Sequence, residues 1–422
     1  MFEKKVLKNG LRMITVPIQG TEVVTILILV KAGSRYENKK NSGISHFTEH
    51  LFFKGTKKRP SSLAIATEID SVGGELNAFT SKEYTGYFVK ISKKYLEKAL
   101  EVLADILQHS LFRPKDIEKE KPVILQEISM YEDTPIQKIG QLFEETLYNN
   151  HPLGQDVLGI KETVLNLKCQ DFQNYLAKFY KANNILITLS GGLDKPEKIQ
   201  RLVEKYFHFP PMKKNPVFKK IIERQIMPQV KLKNQKTEQA HLCVGVRGYN
   251  CDSPKRFVVE VISALLGGGM SSRLFEEIRE KNSLAYYVKT ENQTFKDCGF
   301  MYTQAGVDPK NTIKTIQIIL KAMVALKDKL VPLKELEKAK EFLKGKIILE
   351  IEDSFALAEL IGLQALLNKK TRTPKEIFAE IDKVSAEDIR QVAQEIFVDS
   401  KLNLAVISPK VNINSLRKIL KF

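Results

Sequence analysis

The chain has few cysteines and no long hydrophobic run. Its 422 residues include four cysteines, which are scattered and lack C-x-x-C spacing. This pattern argues against a disulfide framework and predicts reduced thiols in a cytoplasmic protein. The longest apolar run, residues 23–30, is interrupted by Thr25 and is far shorter than the roughly 20 residues that span a bilayer. Residues 1–17 lack the apolar core of a signal peptide, so we expect no membrane partner.

The positive charge of the chain is large but dispersed. The formal net charge is +17 at pH 7, which in some proteins accompanies binding to nucleic acid or anionic membranes. The lysines occur in scattered pairs, without an aromatic-interleaved basic stripe or a nucleic-acid-binding motif. We interpret them as a solvated surface and expect no nucleic-acid partner. With 43% hydrophobic and 28% charged residues, the composition is that of an ordinary globular protein.

The most specific motif of the sequence is His46-Phe47-Thr48-Glu49-His50. Residues four apart share one face of a helix, so His46 and His50 can offer imidazole nitrogens to one metal ion. Glu49 lies on the same side and can act on a water molecule without being a ligand. The H-x-x-E-H pattern is that of the inverted zincins. Two core-edge histidines beside an incidental acid are the alternative, but two of only six histidines stand at ligand spacing.

The flanks of this motif predict an amphipathic helix. Asn41 and Ser42 are candidates for the N-cap, and Phe47, Leu51 and Phe52 provide an apolar back face. The two histidines would then lie on the opposite, polar face.

The two halves of the chain resemble each other. Residues 111–121 align with residues 330–340, and the helix containing Asp171 aligns with the one containing Asp388, at an offset of about 217 residues. A duplicated domain explains this offset. We therefore predict an α+β protein of two homologous domains, each an antiparallel sheet covered by helices mainly on one face.

Only the first half carries the metal motif. In the alignment, Glu49 and His50 fall opposite Ser263 and Ala264, and Glu120 falls opposite Ala339. Pro210, Pro211 and Pro216 mark a linker between the halves. The sequence thus predicts a catalytic zinc-binding domain at 1–210, a linker at 211–228 and a second domain without a metal site at 229–422.

A third protein ligand is needed to complete a zinc site. The acidic residues of the segment around Pro122 are the candidates. Glu120 and Glu127 are seven residues apart and share a helix face, whereas Glu118 and Glu132 fit a solvated surface. Because Pro122 removes a helix hydrogen bond and can kink the first turn, the pattern fixes the position of Glu120 less firmly than that of Glu127. The pattern alone leaves the choice between Glu120 and Glu127 open.

Several further motifs make the chain resemble a known family, the M16 (pitrilysin/insulinase) metallopeptidases or inverzincins, and in particular its bacterial mitochondrial-processing-peptidase-like branch. The similarity covers essentially the whole chain. The motifs are Asn9-Gly10-Leu11-Arg12, Gly33-Ser34-Arg35, residues 46–56, residues 74–80, residues 123–128 and residues 272–286. The resemblance implies the metallohydrolase fold shared by LuxS and the processing peptidases.

The resemblance also implies a set of active-site roles. One Zn²⁺ ion per chain would be held by His46, His50 and Glu127. Glu49 would be the general base, and Glu120 would be the family's second important glutamate. The resemblance therefore resolves the choice that the pattern left open.

Two further groups of residues follow from the same resemblance. Asn77, Ala78 and Phe79 would form the strand that pairs with an extended peptide substrate. Arg279 and Tyr286, in the second half, would hold the substrate backbone and assist the oxyanion. Because the family builds a closed chamber from four such domains, we expect a homodimer. The rival hypothesis is a catalytically silent scaffold or assembly subunit of the same fold, which the retained ligands and Glu49 disfavour.

Overall fold

The computed structural model describes residues 2–212 and 216–422, so residues 213–215 of the predicted linker lie outside it. The strands are β1 Glu3–Val6, β2 Arg12–Pro17, β3 Val23–Val30, β4 Glu75–Thr80, β5 Thr85–Ser92, β6 Ile185–Gly191, β7 Gln229–Asn234, β8 Ala240–Arg247, β9 Ala285–Thr294, β10 Gly299–Val307 and β11 Leu402–Ser408.

The α-helices occur singly or in groups between these strands. They are α1 Ile44–Phe52, α2 Ser62–Asp70, α3 Leu96–His109, α4 Pro114–Glu132, α5 Pro135–Leu147, α6 Lys161–Asn166, α7 Cys169–Phe179, α8 Pro196–Tyr206, α9 Lys255–Gly267, α10 Thr312–Asp328, α11 Leu333–Ile351, α12 Ser354–Leu367, α13 Pro374–Asp382, α14 Ala386–Ile396 and α15 Ile413–Ile419. Of the helices in the described residues, none combines the length and the apolar character needed to cross a membrane.

The strands form two sheets with equivalent topology. The first has the order β1-β2-β6-β3-β5-β4 and the second has the order β7-β11-β8-β10-β9. Apart from β1, each strand of the first sheet has a counterpart at the same place in the second. The predicted α+β class with two homologous domains is therefore confirmed.

The prediction of purely antiparallel sheets was wrong for one strand pair in each sheet. β2 and β6 pair in parallel, and so do β7 and β11. The chain leaves β2, passes through α1 to α7 and returns as β6 beside β2 in the same direction. Parallel neighbours are connected by such long crossovers. Both sheets are therefore mixed.

Both faces of the first sheet are covered, which corrects the expectation of cover mainly on one face. Ile26 and Ile28 of β3 belong to the core under α3, whereas Leu27 and Leu29 pack with α12. All four side chains are fully buried. This explains why β3 is apolar almost throughout instead of alternating with polar residues.

In each sheet, the helix that covers the second face comes from the other half of the sequence. One compact unit comprises residues 2–129, 155–212, 216–219 and 348–373, and the other comprises the remaining described residues. Thus α12 packs on β3 and β6, and its counterpart α5 packs on β8 and β11. The predicted domains, 1–210 and 229–422, differ from the compact units by these two segments, because an apolar helix face does not specify which sheet it will cover.

Candidate metal centre

Helix α1 places both histidines and Glu49 at one polar surface. Phe47 and Leu51 on its other side are fully buried in the core of the first unit. The N-cap is Gly43, with a left-handed backbone, and not the expected Asn41 or Ser42. The Glu37 carboxylate accepts hydrogen bonds from the Gly43 and Ser45 backbone amides at 2.7 and 2.8 Å. Glu37 therefore provides acceptors for two of the backbone amides at the start of the helix.

Three potential ligand atoms face one another at the end of α1. The Nε2 atoms of His46 and His50 are 3.2 Å apart. Oε2 of Glu127, from α4, lies 3.6 Å from each of them. Ligands at about 2.0–2.1 Å around a tetrahedral zinc ion lie roughly 3.3–3.4 Å from each other, so this triangle fits such an ion. Two imidazoles and one carboxylate are also a donor set that suits zinc.

The electrostatics of the triangle keep one histidine available as a ligand. Burial, together with the neighbouring His50, lowers the pKa of His46 to about 3. Its imidazole is therefore neutral at physiological pH, as a metal ligand must be. Nδ1 of His46 is buried and has no hydrogen-bond partner among the described residues, which leaves Nε2 as the atom that faces the other two donors.

Glu120 lies beside the triangle and contacts Nδ1 of His50, the ring nitrogen that is not part of the triangle. Its Oε1 is 2.9 Å from Nδ1 of His50, and its Oε2 is 2.5 Å from the Lys54 ammonium. Burial opposes ionisation of Glu120, but the hydrogen bonds from His50 and Lys54 dominate and lower the pKa of this carboxyl. A carboxylate that accepts from the outer nitrogen of a ligating histidine fixes the orientation of the ring.

Glu49 contacts the first sheet as well as lying on the helix that carries both histidines. Its carboxylate accepts a hydrogen bond from the Thr80 hydroxyl at the end of β4. Burial raises the pKa of Glu49, and the hydrogen bond from Thr80 partly offsets that effect. A carboxylate with a raised pKa is a better proton acceptor than an exposed one.

The predicted substrate strand is β4, at the edge of the first sheet. Ala78 packs on the core that includes α1, whereas the Phe79 ring lies over Gly86 on the other face, where a Cβ on Gly86 would be 2.2 Å from it. Phe79 also contacts Phe355 of α12 with ring centroids 6.1 Å apart. Asn77 accepts a hydrogen bond from the Ala78 amide through its own Oδ1, at 2.8 Å. The Phe79 side chain is thus part of the packing, away from the metal ligands.

Arg279 and Tyr286 lie together in the second unit. A guanidinium nitrogen of Arg279 donates to the Tyr286 carbonyl at 2.9 Å, and the guanidinium carbon is 5.7 Å from the centre of the Tyr286 ring. The Tyr286 side chain is exposed, at 75% of its accessible surface. The two residues therefore present a cation and a phenol at one place on the surface of that unit.

Among the described residues of the second half, no equivalent of the metal triangle is found. Ser263 and Ala264, which align with Glu49 and His50, lie on α9. Within residues 2–212 and 216–422, His46, His50 and Glu127 are the one group of three or more His, Cys, Asp or Glu residues with ligand atoms close enough to share an ion.

Three residues that shape this centre were not predicted as site residues from the sequence: Glu37, Lys54 and Thr80. One of them carried a usable signal. Lys54 did not, because it lies beyond the end of α1 at Phe52 and contacts Glu120 of α4. Thr80 follows Ala78 by two residues and so shares its face of the strand. Glu37 had no such signal, because it reaches α1 from an irregular segment.

The chain is similar to known proteins along nearly its whole length. The family profile described as Insulinase (Peptidase family M16) matches residues 12–161, and the profile described as Peptidase M16 inactive domain matches residues 166–343. An uncharacterized zinc protease of Bacillus subtilis, YmxG, is 34% identical over 98% of this chain and 100% of its own. One from Streptomyces coelicolor is 34% identical over 96% of this chain and 88% of its own. The chain belongs to the M16 peptidase family.

Solved structures share the fold of this chain. A protease from Helicobacter pylori superposes with a TM-score of 0.91 at 25% identity, over 97% of this chain and 99% of its own. A chain of Complex III from Candida albicans has a TM-score of 0.86 at 21% identity, over the full length of both chains. The second resemblance concerns the fold alone. The inactive-domain profile over 166–343 accords with the missing metal ligands on α9.

Proposed function

We propose that this protein is a zinc-dependent endopeptidase that hydrolyses extended or unfolded peptides. The observation that carries the proposal is the triangle of His46, His50 and Glu127 donor atoms, with Glu49 on the same helix. The relatives named zinc proteases, at 34% identity over nearly the whole chain, support the same class of activity.

The three donors would hold one Zn²⁺ ion per chain. When bound, zinc would act as a Lewis acid toward the peptide carbonyl and would make a water molecule acidic enough to attack near neutral pH. Glu49 accepts the proton of the attacking water and returns it to the leaving amine. Glu120 does not touch the reacting atoms in this scheme. It orients His50 by accepting from Nδ1, so that the lone pair on Nε2 faces the other two donors.

Peptide substrate would add to the free edge of β4 as a further strand. Main-chain hydrogen bonds would supply most of the affinity, so side-chain preferences would be broad. Asn77 covers the Ala78 amide and would have to release it to an incoming strand. This mode requires an extended chain, so folded proteins should be poor substrates.

We further propose that two copies of the chain form a homodimer that encloses the site in a chamber. The second half has lost the metal donors but keeps Arg279 and Tyr286 as an exposed pair. In the proposed dimer, this pair of each chain serves the zinc site of the other. Tyr286 and Arg279 would then donate to the oxygen on which negative charge develops.

The test combines metal analysis with a peptide digest. The purified chain should contain about one equivalent of zinc and should cleave denatured casein and unstructured peptides, with products identified by mass spectrometry. The chelator 1,10-phenanthroline should abolish cleavage, and added zinc should restore it. A chain that binds zinc, forms a dimer and cleaves none of these peptides would favour the scaffold alternative.

A further inference from the structure

Thr80 joins the proposed peptide-binding strand to the proposed base. Its backbone forms the last position of β4, at the edge of the sheet. Its hydroxyl donates a hydrogen bond to the Glu49 carboxylate on α1. One residue thus belongs to the strand that would align a peptide and also contacts the group that would move the proton.

The end of β4 is fixed from the segment that precedes α1. The amides of Ser34 and Arg35 donate to the carbonyls of Ser81 and Lys82 at 3.2 and 2.8 Å. The Arg35 guanidinium is 2.5 Å from the Glu83 carboxylate, and both side chains are almost completely buried. A buried, hydrogen-bonded ion pair holds its two segments in one geometry, because either charge alone would be unpaired.

The packing around Gly33 leaves the β4–β5 hairpin little room to shift. A Cβ on Gly33 would lie 2.3 Å from the Ser81 carbonyl oxygen, so the two backbones are in close contact. Further along, the Thr85 hydroxyl donates to the Ala32 carbonyl at 2.9 Å. Thr80 is therefore presented to Glu49 from a hairpin that is held on both sides of its turn.

We infer that Thr80 is a positioning residue that sets the orientation of the Glu49 carboxylate relative to a peptide bound along β4. The inference rests on the proposed function. A glutamate side chain has three rotatable bonds, and a single hydroxyl donor selects one of its rotamers. Because that donor belongs to the edge strand, a peptide in register with β4 is also in register with Glu49.

The substitution that tests this role is Thr80→Val, which keeps the β-branched shape and removes the hydroxyl. We expect kcat to fall by about tenfold to a hundredfold, since proton transfer by a well-placed base contributes roughly 10²–10⁴-fold. KM and zinc content should stay within about twofold of wild type, because the strand edge and the three ligands are untouched. Thr80→Ser, which retains the hydroxyl, should recover most of kcat.

A matched control is available in the same hairpin. Thr85→Val removes a buried hydroxyl that bonds to the Ala32 carbonyl and not to Glu49. It should leave kcat near the wild-type value. An equal fall of kcat in Thr80→Val and Thr85→Val, or no recovery in Thr80→Ser, would overturn the inference, because the loss would then reflect damage to the hairpin.

A second measurement does not depend on cleavage. Crystal structures should show the Glu49 carboxylate in the same position in the wild type and in Thr80→Ser. In Thr80→Val the carboxylate should be displaced. An unmoved Glu49 in Thr80→Val would refute the positioning role, whatever the activity. The wild-type protein could cleave no peptide while Glu49 is displaced in Thr80→Val. That result would support the positioning effect of Thr80 and would contradict only the proposed function.

Discussion

Nδ1 of His50 lies 2.9 Å from Oε1 of Glu120, and this contact distinguishes two glutamates on the same helix. Glu127, two turns further along α4, lies 3.6 Å from the Nε2 atoms of both histidines. A hydrogen bond donated from Nδ1 of His50 to Glu120 would leave the lone pair of Nε2 facing the triangle. The two acids therefore differ in what their removal should do.

Glu127→Gln should lose more zinc affinity than Glu120→Gln. The first replaces a ligand carboxylate by a neutral amide, whereas the second weakens a hydrogen bond to a ligand, which typically costs about 10–100-fold in affinity or activity. Competition with a chromophoric chelator measures both dissociation constants. Glu118→Gln is the matched control, because Glu118 is an exposed acid of the same helix that pairs with Lys121, and its zinc affinity should be unchanged. Equal and complete zinc loss in Glu120→Gln and Glu127→Gln would contradict this assignment.

Lys54→Met should reduce zinc affinity and kcat by a few-fold to about tenfold. The Lys54 ammonium is 2.5 Å from Glu120, and its loss leaves a buried carboxylate with one fewer donor, which weakens its hold on His50. Lys54→Arg keeps the charge and should retain most of both quantities. Lys58→Met, at an exposed lysine that pairs with Glu101, should behave as wild type. An effect in Lys58→Met as large as in Lys54→Met would point to surface charge instead.

Glu49→Gln should retain zinc and lose cleavage. The substitution removes the proposed base and leaves the donor atoms of His46, His50 and Glu127 in place. Loss of a general base typically lowers the rate by about 10²–10⁴-fold. Mass spectrometry of the metal and a peptide-cleavage assay on the same sample measure the two properties together. Cleavage at a near wild-type rate would show that another group moves the proton.

The local part of the site was predictable from the sequence, because its signal lies within one helix. His46, Glu49 and His50 are fixed by helical spacing, and the structure places them on α1 at one polar surface. The third donor was not predictable from the residue pattern alone. Glu120 and Glu127 share a helix face, so periodicity could not say which of them is the ligand. Their distances from the two histidines, which distinguish them, depend on how α4 packs on α1.

The parts of the fold that the sequence did not predict depend on tertiary pairing. Hydrophobic alternation predicts β2 and β6 as strands but does not say that they pair in parallel. The apolar faces of α5 and α12 predict buried helices, yet each covers the sheet built from the other half of the sequence. Phe79 illustrates the same limit on a smaller scale, since strand alternation places its ring on the face opposite Ala78 but does not say that it packs against Phe355 of α12.

Composite active sites should be detectable by mixing two inactive variants. The second half keeps the Arg279 and Tyr286 pair without metal donors, so the pair would serve a zinc site on another chain. In a heterodimer of Glu49→Gln and Tyr286→Phe chains, one site then combines both defects and the other has an intact zinc centre and an intact Tyr286.

Heterodimers purified through two different affinity tags should therefore show roughly half of the wild-type activity, because one of two equivalent sites is complete. Each homodimeric variant, carried through the same purification, provides the baseline. If each site is complete within one chain, both sites of the heterodimer carry one defect, and activity will stay at that baseline. Light scattering under assay conditions gives the independent check, since a fully active monomer would be incompatible with sites shared between two chains.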